Sequence, residues 1–454
     1  MSRFAIAIAS LLALAAVLAP VPARAVLDPA AIAKDSTKVQ AWRLTNGLEV
    51  RVREIPGAIG ASVSVAYRAG SLHMPPSHAG LEQLLAELQY TAAAGSVPER
   101  TRGEMGSLRP SGWSVRTNDH VAVLTEIAAS SQLAGVLLQV AARAHGVQVS
   151  DSCFRRAMVT VRTTLAREAL GDADVVLHRR VREVALGLDD AHVFANAQGA
   201  GLAGIDAAAA TKLLRRFYVP ANATLALAGD FGGANVHALV EQLFGDIPAG
   251  ASEPEVPSVQ LRPGSRSTLF AGIDKPVGVV AALAPSLDVS LHATFYLASL
   301  MAGGWWSDQQ GAAKPPLTAV FHYSVLDEPD LVRFYAQPSP VLTDTTTMVT
   351  RWGESIDQLR SRNFLMDVLD QARSSVDWLL GGPIPGPVRR LMRREVGPMH
   401  ELSVSMAIRA CWRGDGFWDA WRRRFETTML SPHVYFSYML APGHHAAVLF
   451  RPRP

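Results

Sequence analysis

The sequence has 454 residues, 49% hydrophobic and 18% charged, with a formal net charge of +3. A chain of this composition can bury large cores, which excludes an intrinsically disordered protein, and so small a charge argues against a nucleic-acid partner. Two cysteines far apart in sequence, Cys153 and Cys411, exclude a disulfide framework and a cysteine-rich metal site. An oxidising compartment would permit one bond between them, but two buried free thiols are the expectation.

The first residues read as a secretory signal peptide over 1–25: Arg3, an apolar run from Ala5 to Ala19, and the small-residue cleavage pattern Ala23-Arg24-Ala25. The competing reading is a membrane anchor, but the run falls short of the roughly 20 apolar residues that a span needs, and Pro20 and Pro22 interrupt it. The mature chain should therefore be exported to the periplasm without a transmembrane helix.

Next comes a hairpin signal. Trp42-Arg43-Leu44 and the alternating stretch Leu48 to Arg53 flank Asn46-Gly47, a pair suited to a tight turn. Ala61 to Ala69 reads as a strand ending at Gly70-Ser71, and Ala79 to Tyr90 as a helix with Leu81, Leu84, Leu85 and Leu88 on one face. A strand at Val121 to Ile127, a helix at Gln132 to Ala144 and a long helical pattern from Cys153 to Leu186 follow. Ala223 to Gly229 reads as a buried strand and Val236 to Phe244 as a helix. The proline- and serine-bearing stretch 251–264 reads as a linker. Beyond it the order recurs, with a strand near Val277 to Ala284, a helix from Leu291 to Met301, further helices and a last strand at Ala446 to Phe450. The pattern suggests an internal duplication into domains 26–250 and 265–454. The basic runs Arg389-Arg390 with Arg393-Arg394, and Arg422 to Arg424, read as solvated helix faces and not as phosphate-binding stripes.

Several segments together resemble one family. Asn46-Gly47-Leu48, Gly70-Ser71, Ala79-Gly80-Leu81 before an amphipathic helix, Thr117-Asn118-Asp119, Phe217 to Ala223 and Gly229-Asp230 occur in an order similar to that of the pitrilysin/insulinase/mitochondrial processing peptidase family. These are the inverzincin zinc peptidases of family M16. The resemblance implies an α+β fold of two homologous-looking domains, each a mostly antiparallel sheet backed by helices, facing each other across a cavity. The family's helix carries His-x-x-Glu-His, whose two histidines bind zinc and whose glutamate activates the metal-bound water. Aligned on Gly80-Leu81, the first histidine is replaced by Gln83, the catalytic glutamate by Ala86 and the second histidine by Glu87. The family's third ligand should fall between Thr163 and Leu165, where there is no carboxylate, with Glu168 one turn beyond.

The resemblance thus implies a member with a degenerate metal motif that holds no zinc and does not cut peptide bonds by itself. An improvised site from His73, His78, Glu82 and Glu87 is the alternative, against a plain reading as solvated loop and helix face. In the second domain the family places an arginine and a tyrosine that grip the peptide backbone. Here Lys314 and Tyr323 stand nearest to them, though Pro315-Pro316 and the loss of a guanidinium fork weaken the match. The implied partners are a zinc-bearing homologous peptidase subunit and a peptide substrate. The alternative of a different class is a stand-alone peptide-binding or scaffold protein of the cell envelope. No Gly-x-Ser-x-Gly elbow, phosphate loop or dinucleotide fingerprint is present.

Overall fold

The computed structural model describes residues 39–75, 77–109, 111–170, 181–185, 199–254, 256, 266–271, 276–288, 291–308, 319–322, 326, 331–336, 344–360, 366–427 and 444–452. The expected signal peptide, most of the 251–264 stretch, Lys314 and Tyr323 lie outside the described residues.

The first half runs β1 (Gln40–Arg43), β2 (Glu49–Glu54), β3 (Ala61–Tyr67), α1 (Leu81–Thr91), α2 (Arg102–Leu108), β4 (Trp113–Thr117), β5 (Ala122–Ala128), α3 (Leu133–His145), α4 (Asp151–Leu170), α5 (Ala207–Phe217), β6 (Ala223–Gly229) and α6 (Val236–Phe244). The second half runs β7 (Arg266–Ala271), β8 (Val277–Leu283), α7 (Leu291–Asp308), β9 (Ala319–His322), β10 (Leu331–Ala336), α8 (Thr345–Arg360), α9 (Met366–Asp377), α10 (Gly386–Met392), α11 (Gly397–Trp412), α12 (Gly414–Thr427) and β11 (His445–Pro452).

The Asn46-Gly47 pair closes the β1–β2 hairpin with Arg43 opposite Glu49. Gly47 sits at φ +87°, and a Cβ there would come within 3.2 Å of Ala221. Asn46 does more than turn the chain. Its buried Nδ2 donates to the carbonyls of Phe244 and Ile247 at 2.7 and 3.0 Å, and so ties the hairpin to the end of α6.

The two sheets repeat one topology. The first has the order β1-β2-β6-β3-β5-β4 and the second β7-β11-β8-β10-β9. Within each, one pair is parallel (β2 with β6, β7 with β11) and the rest are antiparallel. Leaving out β1, each strand of the first sheet has a counterpart in the second at the same place and polarity. The architecture is therefore α+β, two mostly antiparallel sheets backed by helices.

Each half lends a helix to the other. In β3, Val63, Val65 and Tyr67 face the core beneath α1 and α3, while Ser62, Ser64 and Ala66 face the opposite side, where α11 lies across the sheet. Strands β3, β5 and β6 are consequently buried along their whole length. They show the near-continuous burial of strands covered on both faces rather than the alternation of half-exposed ones. In return, Val181 and Ala185 of the helical turn at 181–185 pack on Val279, Ala281, Val448 and Phe450 of the second sheet.

A chain of hydroxyls fixes the register of α11. Ser403 Oγ lies 2.8 Å from both Ser62 Oγ and Ser64 Oγ, and Ser64 Oγ lies 2.8 Å from Thr125 Oγ1, with all four residues fully buried. Arg53 donates to the carbonyl of Gly382 at 3.0 Å and Arg68 to that of Cys411 at 2.6 Å. Both cysteines are buried and free. Burial pushes the Cys411 thiol up to about 12.

Because Ser403 serves both Ser62 and Ser64, Ser403→Ala should strand a buried hydroxyl and cost about 1–3 kcal/mol. The check is chemical denaturation, with a lower midpoint and an unchanged slope as the expected result.

Candidate functional site

Helix α1 starts at Gly80, which takes φ +88°, and a Cβ there would meet Leu165 Cδ1 of α4 at 2.8 Å. This places Leu165 beside the start of the motif helix. The motif positions carry no histidine. Ala86 is fully buried and Gln83 half-buried. Thr163 and Thr164 turn their hydroxyls back onto the carbonyls of Val159 and Thr160, at 2.8 and 3.0 Å. Of Glu168 only the helical backbone is described.

Glu87 is 3% exposed, so its carboxylate must find a cation. That cation is Arg102, the first residue of α2, whose Nε lies 3.0 Å from both carboxylate oxygens and whose Nη2 lies 2.6 Å from Oε2. Helix α2 holds the arginine there by a capping box, in which Thr101 Oγ1 accepts from Glu104 N at 3.2 Å while Glu104 Oε2 accepts from Thr101 N at 2.6 Å.

The pair continues into a chain of rings and charges. The Arg102 guanidinium stands 5.5 Å from the Trp113 ring, Trp113 stacks on Tyr90 at 5.1 Å, and Arg143 lies 4.8 Å from the Tyr90 ring. Arg143 and Arg109 both bind Glu126 at 2.5 Å. These residues fill the layer between α1 and the sheet edge at β4.

The expected solvated face is corrected here. Glu82 and Glu87 are buried at 8% and 3%, because α4, α5 and β4 pack around α1. The residues of the improvised metal site, His73, His78, Glu82 and Glu87, are not brought together as a ligand set among the described residues. His78 Nδ1 pairs with Ser77 Oγ at 3.0 Å, the carboxylate of Glu87 is taken by Arg102, and no group of three His, Cys, Asp or Glu able to hold a metal occurs among the described residues.

A second constellation surrounds the Thr117-Asn118-Asp119 turn. Asn118 Oδ1 accepts from the backbone of His120 and Val121 at 2.9 and 2.7 Å, and Asn118 Nδ2 donates to the carbonyl of Leu326 at 3.2 Å. That contact reaches across to the second half, three residues beyond Tyr323. Ser71 Oγ donates to Asp119 Oδ1 at 2.8 Å, and Arg182 pairs with the same carboxylate. His120, 2% exposed, stacks on Trp412 of α11 at 4.1 Å between ring centroids. Burial lowers the His120 imidazole to about 4. Asp119 opposes that shift, while His73, Arg413 and Arg182 add to it. Burial also lowers His73.

With this geometry in view, the relatives can be compared. Residues 204–314 match the family described as the peptidase M16 inactive domain. A comparison with curated proteins gives no match in sequence. In structure the chain is similar to a protease from Helicobacter pylori, at 13% identity and a TM-score of 0.71, over 92% of this chain and 100% of that one. It is also similar to the periplasmic protease PqqL from Escherichia coli, at 13% identity and a TM-score of 0.64, over 92% of this chain but 48% of that longer one. A peptidase M16 inactive domain from Pseudomonas fluorescens aligns at 12% identity and a TM-score of 0.62, over 92% of this chain and 98% of that one. The class is that of two-domain M16-like peptidase folds. The M16 resemblance drawn from the residues stands, in fold across both halves and in sequence over residues 204–314.

Two predictions follow from the geometry. Glu87 has a side chain 4% exposed and Arg102 one 47% exposed, so the two deletions are not equivalent. Arg102→Ala leaves a buried carboxylate without its cation and should cost about 2 kcal/mol. Glu87→Ala frees a guanidinium that water can reach and should cost about half as much. Urea titration of both variants checks the asymmetry.

The second prediction concerns pH. The folded His120 titrates near 4, below the ordinary histidine value of 6.5, so between these the unfolded chain binds a proton that the folded chain does not. Stability should therefore be complete above pH 6.5 and fall by about 2–3 kcal/mol as pH drops toward 4. His120→Phe, which keeps a ring on Trp412, should flatten that part of the stability profile measured by denaturation at stepped pH.

Proposed function

We propose that the chain is a noncatalytic partner subunit of an exported zinc metallopeptidase of the M16 type and helps to enclose peptide substrates. The observation that carries this reading is the Glu87–Arg102 pair: the acid that stands at the second histidine position of the aligned motif is committed to a guanidinium. A catalytic zinc needs three protein ligands and an open position. Gln83 is neutral, Glu87 is committed to an arginine, and the 163–165 segment has no carboxylate. Ala86 can neither take nor give a proton, so the position of the family's general base is unfilled.

Support for pairing comes from length and fold. The chain aligns with about half of the periplasmic protease PqqL, which fits a unit that works beside a second unit of the same fold. The ferredoxin protease FusC, captured with Arabidopsis ferredoxin, is likewise covered over 48% of its chain. The PqqL likeness is consistent with export. Among the described residues no helix is long and apolar enough to cross a membrane. Lys314 and Tyr323 are the proposed peptide contacts.

A second reading, a stand-alone peptide-binding or scaffold protein, is favoured by one feature. Among the described residues, strand β4 is an edge of the first sheet, paired on one side with β5. An extended peptide could add to such an edge through main-chain hydrogen bonds.

Mixing the mature chain with a zinc-bearing M16 subunit from the same genome separates the two. Under the first reading the subunits co-elute and the mixture hydrolyses peptides far faster than the zinc-bearing subunit alone. Tyr323→Phe then slows the mixture by about 1 kcal/mol, the value of one hydrogen bond. Independent elution with unchanged activity would leave the scaffold reading.

A further inference from the structure

Helix α10 is short and strongly sided. Val388 and Met392 are buried, whereas Arg390, Arg393 and Arg394 are exposed on the opposite side, with Arg389 half-buried between. Arg389 and Arg390 lie in the helix, and Arg393 and Arg394 lie in the turn that ends it, bonded back to the carbonyls of Arg390 and Leu391. The exposed arginines Arg390, Arg393 and Arg394 have no carboxylate partner among the described residues. This sets them apart from Arg102, Arg109, Arg143, Arg216, Arg413 and Arg422, each of which is paired.

An apolar residue is held next to the exposed arginines. The loop 55–60 is docked on α10 by the Ile59 amide, which donates to the Met392 carbonyl at 2.9 Å, and Gly57 lies against the Arg393 side chain. Ile59 itself is 51% exposed. Two carboxylates lie nearby. Asp230 is occupied by the amides of Gly57 and Gly232, at 2.7 and 2.8 Å, and Glu395 is exposed next to Arg394 in sequence.

We propose that this face is a docking surface for the anionic phospholipid surface of a membrane, with Arg390, Arg393 and Arg394 on the headgroup phosphates and Ile59 dipping into the interface. The sequence alone gives only a solvated basic face. What points further is the absence of acidic partners and the solvent-facing isoleucine fixed beside the arginines. A protein partner is the poorer fit. Stable protein interfaces centre on a cluster of apolar and aromatic side chains, and this face offers a single aliphatic side chain. A lipid surface asks only for diffuse positive charge with a small apolar wedge. Binding of this kind is reversible and salt-sensitive, and it would hold the subunit at the membrane without a span.

The test is co-sedimentation of the full mature chain with vesicles of phosphatidylglycerol and phosphatidylcholine, compared with phosphatidylcholine alone. Each basic residue near an anionic surface strengthens binding about fivefold, so three together give about a hundredfold. The expected result is binding to the anionic vesicles that is lost in high salt, with none to phosphatidylcholine. The triple change R390E/R393E/R394E should abolish it, and Ile59→Ser should weaken it about threefold. A charge-matched control, R155E/K212E/R215E, reverses exposed charges elsewhere and should bind nearly as the parent does. Circular dichroism establishes that each variant is folded. The proposal is overturned by no binding to anionic vesicles, by equal binding to both vesicle types, or by equal loss in the control. It is also overturned if the chain binds soluble polyglutamate and not vesicles, which would mark a general acidic-partner surface.

Discussion

A carboxylate sealed between a helix and a sheet has to be neutralised, and in the first half of this molecule that requirement organises everything around α1. Glu87 draws Arg102 over the end of the motif helix, and the capping box of α2 exists at the place where that arginine must start a helix. Arg102 in turn lies on Trp113, Trp113 on Tyr90, and the Tyr90 ring on Arg143, whose own charge is met by Glu126 together with Arg109. Glu87, Tyr90, Glu126, Arg109 and Arg143 are buried along this chain, while Trp113 is half-buried and Arg102 reaches solvent. A catalytic zinc needs three protein ligands and an open coordination position. Here the acid on this helix is already bonded to Nε and Nη2 of Arg102.

The second organising contact is the exchange of helices between halves. Helix α11 closes the far face of the first sheet through Ser403, and the 181–185 turn covers the second sheet in return. The repeated strand order makes this exchange reciprocal, so neither half has a finished core alone. The Asn118 turn and the His120–Trp412 stack sit on the same seam. A charge placed there by acid is therefore a charge placed between the halves.

Much of this was legible in the residues. The Asn46-Gly47 hairpin, the leucine face of α1 and the alternation of small apolar strands with helices are local signals, and the structure places those elements within a few residues of their expected ends. The M16 resemblance rested on the same local segments. What could not be read is long-range. The burial of Glu82 and Glu87 depends on α4, α5 and β4, which the period of α1 says nothing about. Arg102 was overlooked although Thr101 and Glu104 spell a capping box, because the pairing of its first residue with an acid fifteen positions earlier has no sequence pattern. The duplication was suspected from element order, but the matching polarity of the strands appears only in the sheets.

A chain whose Glu87 is committed to Arg102 should not hold zinc. The most direct test is the zinc content of the purified mature chain after equilibration with micromolar zinc and removal of free ion. Well under one equivalent is expected, unchanged by Glu87→Ala. Stoichiometric zinc that disappears when Glu87 is replaced would contradict it, because the carboxylate would then be a metal ligand and not the counter-charge of Arg102.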